Sequence, residues 1–139
     1  MMEHRGRKLT IRYCEAEIEA TDETGGRSMV TQSWVDALAD VPKGKRGGIY
    51  ARFIALRNYL ADGNQLRSPD RWNTDGDLPD GKHFYAIKVD KIRAYGWFST
   101  RHTGVFYISH FTKKRGQKLA AEDTKRVVSS WRKEEHWHE

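Results

Sequence analysis

The stretch that most narrows the possible folds runs from His83 to Arg115, HFYAIKVDKIRAYGWFSTRHTGVFYISHFTKKR. It reads as three consecutive strands, His83–Val89, Ile92–Phe98 and Val105–Phe111. Asp90-Lys91 separates the first two as a two-residue hairpin loop, a weaker turn signal than Asn-Gly or Asp-Gly. That turn sets a register in which Val89 faces Ile92, Lys88 faces Arg93, Ile87 faces Ala94, Ala86 faces Tyr95 and Phe84 faces Trp97.

Side chains alternate between the two faces of a strand. One face therefore carries Tyr85, Ile87, Val89, Ile92, Ala94 and Gly96, and is almost wholly apolar. The other carries Phe84, Ala86, Lys88, Arg93, Tyr95 and Trp97. Two cations facing each other across a ladder repel. Either both heads lean out to water or toward nearby acidic residues, or the pair forms an anion site. With this charge balance the anion is phosphate.

The chain has 139 residues, a length that suits one domain, with loose tails expected at 1–7 and 135–139. Hydrophobic content is 37% and charged content 32%, with no apolar run long enough for a membrane span. The start, MMEHRGRKLT, lacks the apolar segment of a secretory signal. Cys14 is the only cysteine, so no intrachain disulfide is expected, which fits a cytoplasmic protein. No C-x-x-C or H-E-x-x-H spacing occurs, and no metal or cofactor is expected. His136 and His138 sit in a charged tail, EEHWHE, and could pair on a metal only there.

The formal net charge is +6 and the pI about 9.5, an excess that favours polyanions through counterion release. Lys113, Lys114, Arg115 and Lys118 follow the third strand with no acidic residue among them. A solvated loop is the plain explanation of that cluster, and its place beside strands carrying Lys88 and Arg93 argues against it.

The rest of the chain supplies the layers. Lys8–Cys14 alternates as a strand, and polar Glu15–Arg27 reads as a loop or a frayed hairpin extension. Ser33 looks like the N-cap of a short helix that stops before Pro42, and Lys43–Gly48 reads as a basic turn. Ile49, Phe53, Leu56 and Leu60 share one face of a helix over 46–62, with Arg52 and Arg57 off that face in solvent. Gly63–Lys82 is a long loop in which Trp72 is positioned as an anchor. Ala120, Thr124, Val127 and Trp131 mark a last helix over 120–134. The order β-α-α-β-β-β-α gives an α+β fold, one antiparallel-dominated sheet with two helices packed on one face. Its other face is expected to be a cleft rimmed by the last helix and the basic loop.

Several of these segments together resemble the RelE/ParE toxin superfamily, and within it the HigB and phage-derived branch. Ser33-Trp34-Val35-Asp36-Ala37-Leu38 is similar to that family's first helix, and Ile54–Gly63 to the end of its second. Phe84-Tyr85-Ala86-Ile87-Lys88, Ile92-Arg93-Ala94-Tyr95 and His110-Phe111-Thr112-Lys113-Lys114 are similar to its strand motifs. The resemblance spans roughly 31–134. It implies a small RelE-like fold and the toxin of a type II toxin–antitoxin pair, acting as a ribosome-dependent mRNA endonuclease without a metal. The implied partners are a cognate antitoxin, the ribosome and mRNA. Such cleavage needs a base for the ribose 2′-hydroxyl, cations for the phosphate and an acid for the leaving oxygen.

Carried onto this sequence, Arg93 would stabilise the phosphate by bidentate contact. Lys88 would hold phosphate, or act as base if burial beside Arg93 lowers its pKa. Lys113 matches a family lysine placed to help at the scissile phosphate. Lys114, Arg115 and Lys118 would grip RNA backbone, and Tyr95 and Trp97 would stack on a base. Trp97 as cover for the last helix competes evenly with that role. His110 is a candidate acid because imidazole titrates near neutrality, in competition with a core or edge histidine. The sequence departs from the family in having Ala86 and Lys88 where a glutamate and an arginine are common, and no tyrosine near the C-terminus. The general acid is therefore unassigned. A non-catalytic inhibitor on the same fold, like the gyrase-targeting relatives, is the alternative, and a non-toxic RNA-binding domain a third.

Overall fold

The computed structural model describes residues 1, 3–21, 26–116 and 119–136. They form β1 (His4–Arg5), β2 (Thr10–Tyr13), β3 (Glu17–Thr21), β4 (Arg27–Thr31), α1 (Gln32–Ala37) and α2 (Lys43–Ala61). After these come β5 (Trp72–Asp77), β6 (His83–Val89), β7 (Ile92–Phe98), β8 (Val105–Lys113) and α3 (Ala121–His136). The architecture is α+β. A six-stranded sheet has the order β1-β2-β8-β7-β6-β5, and β3 and β4 form a separate two-stranded sheet. Among the described residues only β2 and β8 pair in parallel, with Thr10 opposite Val105 and Tyr13 opposite Ile108.

The central hairpin has the register expected of it. Val89 pairs with Ile92, Lys88 with Arg93, Ile87 with Ala94 and Ala86 with Tyr95. Asp90 takes φ 51° at the turn, a left-handed conformation that aspartate tolerates better than most residues. Arg52 of α2 grips the Asp90 carboxylate with both terminal nitrogens, at 3.1 and 2.9 Å. Arg52 therefore ties α2 to the hairpin tip.

The apolar sheet face packs on α1 and α2. Ile87, Val89, Ile92, Ala94, Phe106, Ile108 and Phe111 bury against Trp34, Ile49, Phe53 and Leu60. Trp34, Phe53 and Phe111 form the centre of this layer, with ring centroids 5.0 to 5.7 Å apart.

The second face is not the open cleft expected of it. Phe84, Ala86, Tyr95, Trp97, Val105 and Tyr107 are buried there together with Val127 and Trp131 of α3. The helix lies on the sheet rather than at its rim, because the aromatic area on that face outweighs its two cations. A bulge in β8 extends this surface. Tyr95 pairs with His110 and Gly96 with Ile108, so Ser109 is the extra residue. The insertion keeps His110 on the same face as Tyr107 and Val105.

Other local expectations change. The stretch 1–7 contains β1, which pairs with β2. Part of Glu15–Arg27 is a hairpin sheet, with Ile18 opposite Val30. Thr31 caps α1 by accepting from the Trp34 amide, while Ser33 turns inward, donates to Glu15 and accepts from the Phe111 amide. The basic stretch from Lys43 opens α2 instead of preceding it. Arg57 is buried and donates to Tyr13 Oη at 3.2 Å and Asn58 Oδ1 at 2.9 Å. The long loop contains β5, where Trp72 stacks on Tyr85 with centroids 4.9 Å apart.

Burial, with the Glu134 carboxylate adding to it, pushes the Cys14 thiol well above its ordinary range. The thiolate is the reactive species. Native protein at pH 8 is expected to resist iodoacetamide, and protein in denaturant to take up one equivalent, by intact mass.

Candidate nucleic-acid interface

The site is built on one row of the sheet. Lys88 of β6 pairs with Arg93 of β7, which pairs in turn with Thr112 of β8. Beyond β6 the row continues into Arg71, whose carbonyl accepts from the Lys88 amide at 2.9 Å. Alternation puts Lys88, Arg93 and Thr112 on the α3 side. The buried aromatic patch of that side begins at Tyr95 and His110, so this row marks the polar end of the face.

Repulsion between the facing cations is met by separating their heads. Lys88 Nζ donates to the Pro69 carbonyl at 2.7 Å. Arg93 Nη1 donates to the carbonyls of Asp90, at 2.7 Å, and Ile92, at 3.1 Å. Both groups are held in the charged form less firmly than usual. For Lys88 the causes are burial, then Arg93, then Lys114. For Arg93 the cause is burial, opposed by Tyr95 and Asp75. Arg93 Nε is buried and has no hydrogen-bond partner among the described residues. A buried guanidinium N–H without an acceptor is costly.

Lys114 is the third cation of this cluster, acting on Lys88 through space, and its amide is anchored on the Lys91 carbonyl at 2.7 Å. Lys113 is not part of it. It pairs in register with Ile92, so it faces α1, where its Nζ lies 3.8 Å from Asp40. Arg115 joins the same carboxylate at 2.7 Å. The two residues form a small ion-pair group with Asp40, on the other side of the sheet from Arg93. Lys118 and His138 lie outside the described residues.

Tyr95, Trp97 and His110 are each 1% exposed. The Trp97 ring stacks on Tyr107 at 5.3 Å, and its Nε1 donates to Glu135 at 2.8 Å. Neither Tyr95 nor Trp97 offers a ring face to a base, because α3 covers that part of the sheet. Trp97 is the cover for the last helix, the role that competed with stacking. His110 has both nitrogens engaged, Nε2 with Asp123 Oδ1 at 2.8 Å and Nδ1 with Ser109 Oγ at 2.9 Å. Ser109 continues to Ser130 of α3 at 3.0 Å. This network fastens the helix to the sheet, which makes His110 a core histidine and leaves no path from it to a leaving group.

Asp75 of β5 is the group the sequence reading overlooked. Its carboxylate acts on Lys88, Arg93 and Tyr95. Nothing in the polar run around Asn73-Thr74-Asp75-Gly76 announces a strand beside the cations. Among the described residues, no three His, Cys, Asp or Glu side chains gather as a metal site requires, and no helix is long and apolar enough to cross a membrane.

No family model, curated protein or solved structure matches the chain. Fold and site thus define a class of surface: an α+β sheet with half-buried Lys88, Arg93 and Lys114 gathered at the polar end of one face.

Proposed function

We propose that this chain is an RNA-cleaving toxin of RelE-like fold, a metal-independent, ribosome-dependent mRNA endonuclease kept in check by a cognate antitoxin. The observation that carries the proposal is the Lys88–Arg93 pair, with an unpartnered guanidinium N–H and Lys114 beside it. Three cations that form no salt bridge with a carboxylate among the described residues suit a phosphodiester, whose charge grows during in-line attack. The succession of two helices on one sheet face followed by the antiparallel run β5-β6-β7-β8, which has one strand more than the expected meander, supports the RelE-like reading, as do the family-like segments at Phe84–Lys88 and Ile92–Tyr95.

The test is mRNA cleavage in a translating extract, mapped by primer extension. The wild-type chain is expected to give discrete cuts, and Arg93→Ala to reduce them by about 100-fold or more, the scale of losing one transition-state donor. Lys113→Ala, on the other side of the sheet, is expected to leave the cuts in place. The burial of His110 at both nitrogens favours a second reading, a non-catalytic module that grips RNA or another target with the same cations. A folded wild-type chain that binds RNA in a salt-dependent way and makes no cuts would establish that module and reject the endonuclease.

A further inference from the structure

A second basic surface lies at the end of the sheet, where the β6–β7 hairpin, the segment after β8 and the start of α2 are joined in a closed circuit of hydrogen bonds and ion pairs. The Lys114 amide donates to the Lys91 carbonyl at 2.7 Å, which ties the chain after β8 to the hairpin tip. Arg115 pairs with Asp40 at 2.7 Å. Arg46 of α2 fastens on the same turn, donating from Nε to the Val41 carbonyl at 2.9 Å and from Nη2 to the Ala39 carbonyl at 3.1 Å. Arg52 returns to the tip through Asp90 at 2.9 Å. A helix rises about 1.5 Å per residue, so Lys45 stands about 10 Å further along the α2 axis than Arg52.

Asp40 and Asp90, the carboxylates of this circuit, are already paired with arginines. Lys43, Lys45 and Lys91 are exposed and Lys114 is half-buried, and none of the four is in an ion pair among the described residues. For the fold alone, the start of α2 is a poor place for cations. Its first turn carries Lys43, Lys45 and Arg46 without an acidic residue, and Pro42 supplies no side-chain cap. Positive charge there opposes the helix dipole, and an external anion offsets it. Interfaces with proteins are depleted in lysine and enriched in aromatic residues. Here the exposed residues are lysines and glycines. A Cβ at Gly44 or Gly48 would meet nothing within 4 Å, so a phosphate backbone has open access to the helix start.

We infer that this surface carries the backbone of the single RNA strand held at Lys88–Arg93, past Lys114 and Lys91 and on to Lys43 and Lys45. The inference rests on the RNA-directed reading of that pair, not on cleavage. Lys114 is common to both regions, two residues beyond Thr112, the ladder partner of Arg93. From there the path rounds the end of the sheet, from the α3 side to the side of α1 and α2. Lysines are compact charges on flexible stems, so they hold phosphates whatever the base sequence. The surface therefore adds affinity and reach to the strand without selecting its sequence.

The experiment titrates short and long unstructured single-stranded RNAs with the full chain over a range of salt concentrations. Wild type is compared with Lys43→Gln/Lys45→Gln, with Arg93→Ala and with Arg5→Gln/Arg7→Gln. The last removes the same charge beside Ala61 and Asp62, at the other end of α2. Lys43→Gln/Lys45→Gln is expected to bind the long strand about 10-fold more weakly, with a salt slope shallower by about 1.4, the share of two single-strand phosphate contacts. It is expected to bind the short strand as wild type does. Its urea midpoint is expected to equal or exceed that of wild type, because the lost cations opposed the dipole. Wild-type affinity and slope in this variant, with Arg93→Ala weakened, overturn the surface and leave the Lys88–Arg93 reading standing. An equal loss in Arg5→Gln/Arg7→Gln overturns it as well, since net charge is then the whole effect. Weak binding with a lowered midpoint assigns the two lysines to the fold and also overturns it. Tighter binding of a duplex RNA, or competition by poly-glutamate as effective as by RNA at equal charge, gives the surface to another partner and overturns the assignment. A wild-type chain that binds no RNA overturns both.

Discussion

Trp97→Ala is expected to lower the unfolding free energy by about 3–5 kcal/mol, the usual cost of deleting a large buried aromatic. Trp97 is buried in the centre of the second core, stacked on Tyr107 and covered by Val127 and Trp131 of α3. Its loss leaves a cavity under the helix and removes the indole donor from Glu135, a buried carboxylate. Burial alone would raise the pKa of Glu135, but donors from Trp97, Ser99, Arg101 and Thr100 outweigh it and the net shift is downward. A carboxylate lowered on folding stabilises the fold above its unfolded pKa, and this contribution is lost as pH falls through the folded value. Glu135→Gln is therefore expected to be less stable than wild type at neutral pH, and the difference to shrink as the pH drops below the ordinary glutamate range. Urea unfolding followed by far-UV circular dichroism at several pH values measures both effects. A Trp97→Ala midpoint within error of wild type would refute the two-sided core.

Gly96→Ala is expected to be nearly as damaging for the opposite reason. A Cβ at Gly96 would lie 2.3 Å from the Tyr107 carbonyl oxygen and 2.6 Å from the Phe106 ring. Overpacking generally costs about 1–3 kcal/mol, and this contact sits at the upper end because its nearest atom is backbone. The strain falls where β7 crosses the β8 bulge, so the substitution also disturbs the step that keeps His110 and Tyr107 on one face. Gly48→Ala is the contrast. A Cβ there meets nothing within 4 Å, and in the interior of α2 alanine is expected to stabilise by about 1 kcal/mol. The same urea titration distinguishes the two glycines by sign.

What could be read from the sequence was local. The hairpin at Asp90-Lys91, its register and the α2 stripe of Ile49, Phe53 and Leu60 depend on neighbours in the chain, and they are present in the fold. Two further features depended on distant partners. The β8 bulge lies where Gly96 closely approaches Tyr107, and no residue type in Val105–Lys113 signals it. Without the bulge, the face of His110 could not be assigned. The aromatic positions of the second face were identified correctly, but their meaning depends on whether α3 lies over them. Val127 and Trp131 hold that answer in their helical spacing. For the site, charge pattern was enough to bring Lys88 and Arg93 together. It could not distinguish Lys113 from Lys114, which one step of strand alternation sends to opposite faces, nor find Asp75 in a run whose glycine and asparagine read as loop.

The parallel pairing of β2 with β8 has a consequence for synthesis. Thr10 finds its partner in Val105, so β2 can join the main sheet only after β8 has emerged from the ribosome. Until then its other neighbour is the two-residue β1, and a pair of that size does not hold by itself in water. The same late strand provides Phe111 to the first core and His110 to the α3 fastening. A nascent chain stopped before β8 would lack Phe106, Ile108 and Phe111 of the first core and the α3 cover of the second, and Arg93 would have no neighbouring strand on its β8 side. The chain would therefore acquire whatever activity that pair confers only once β8 has been made and has joined the sheet.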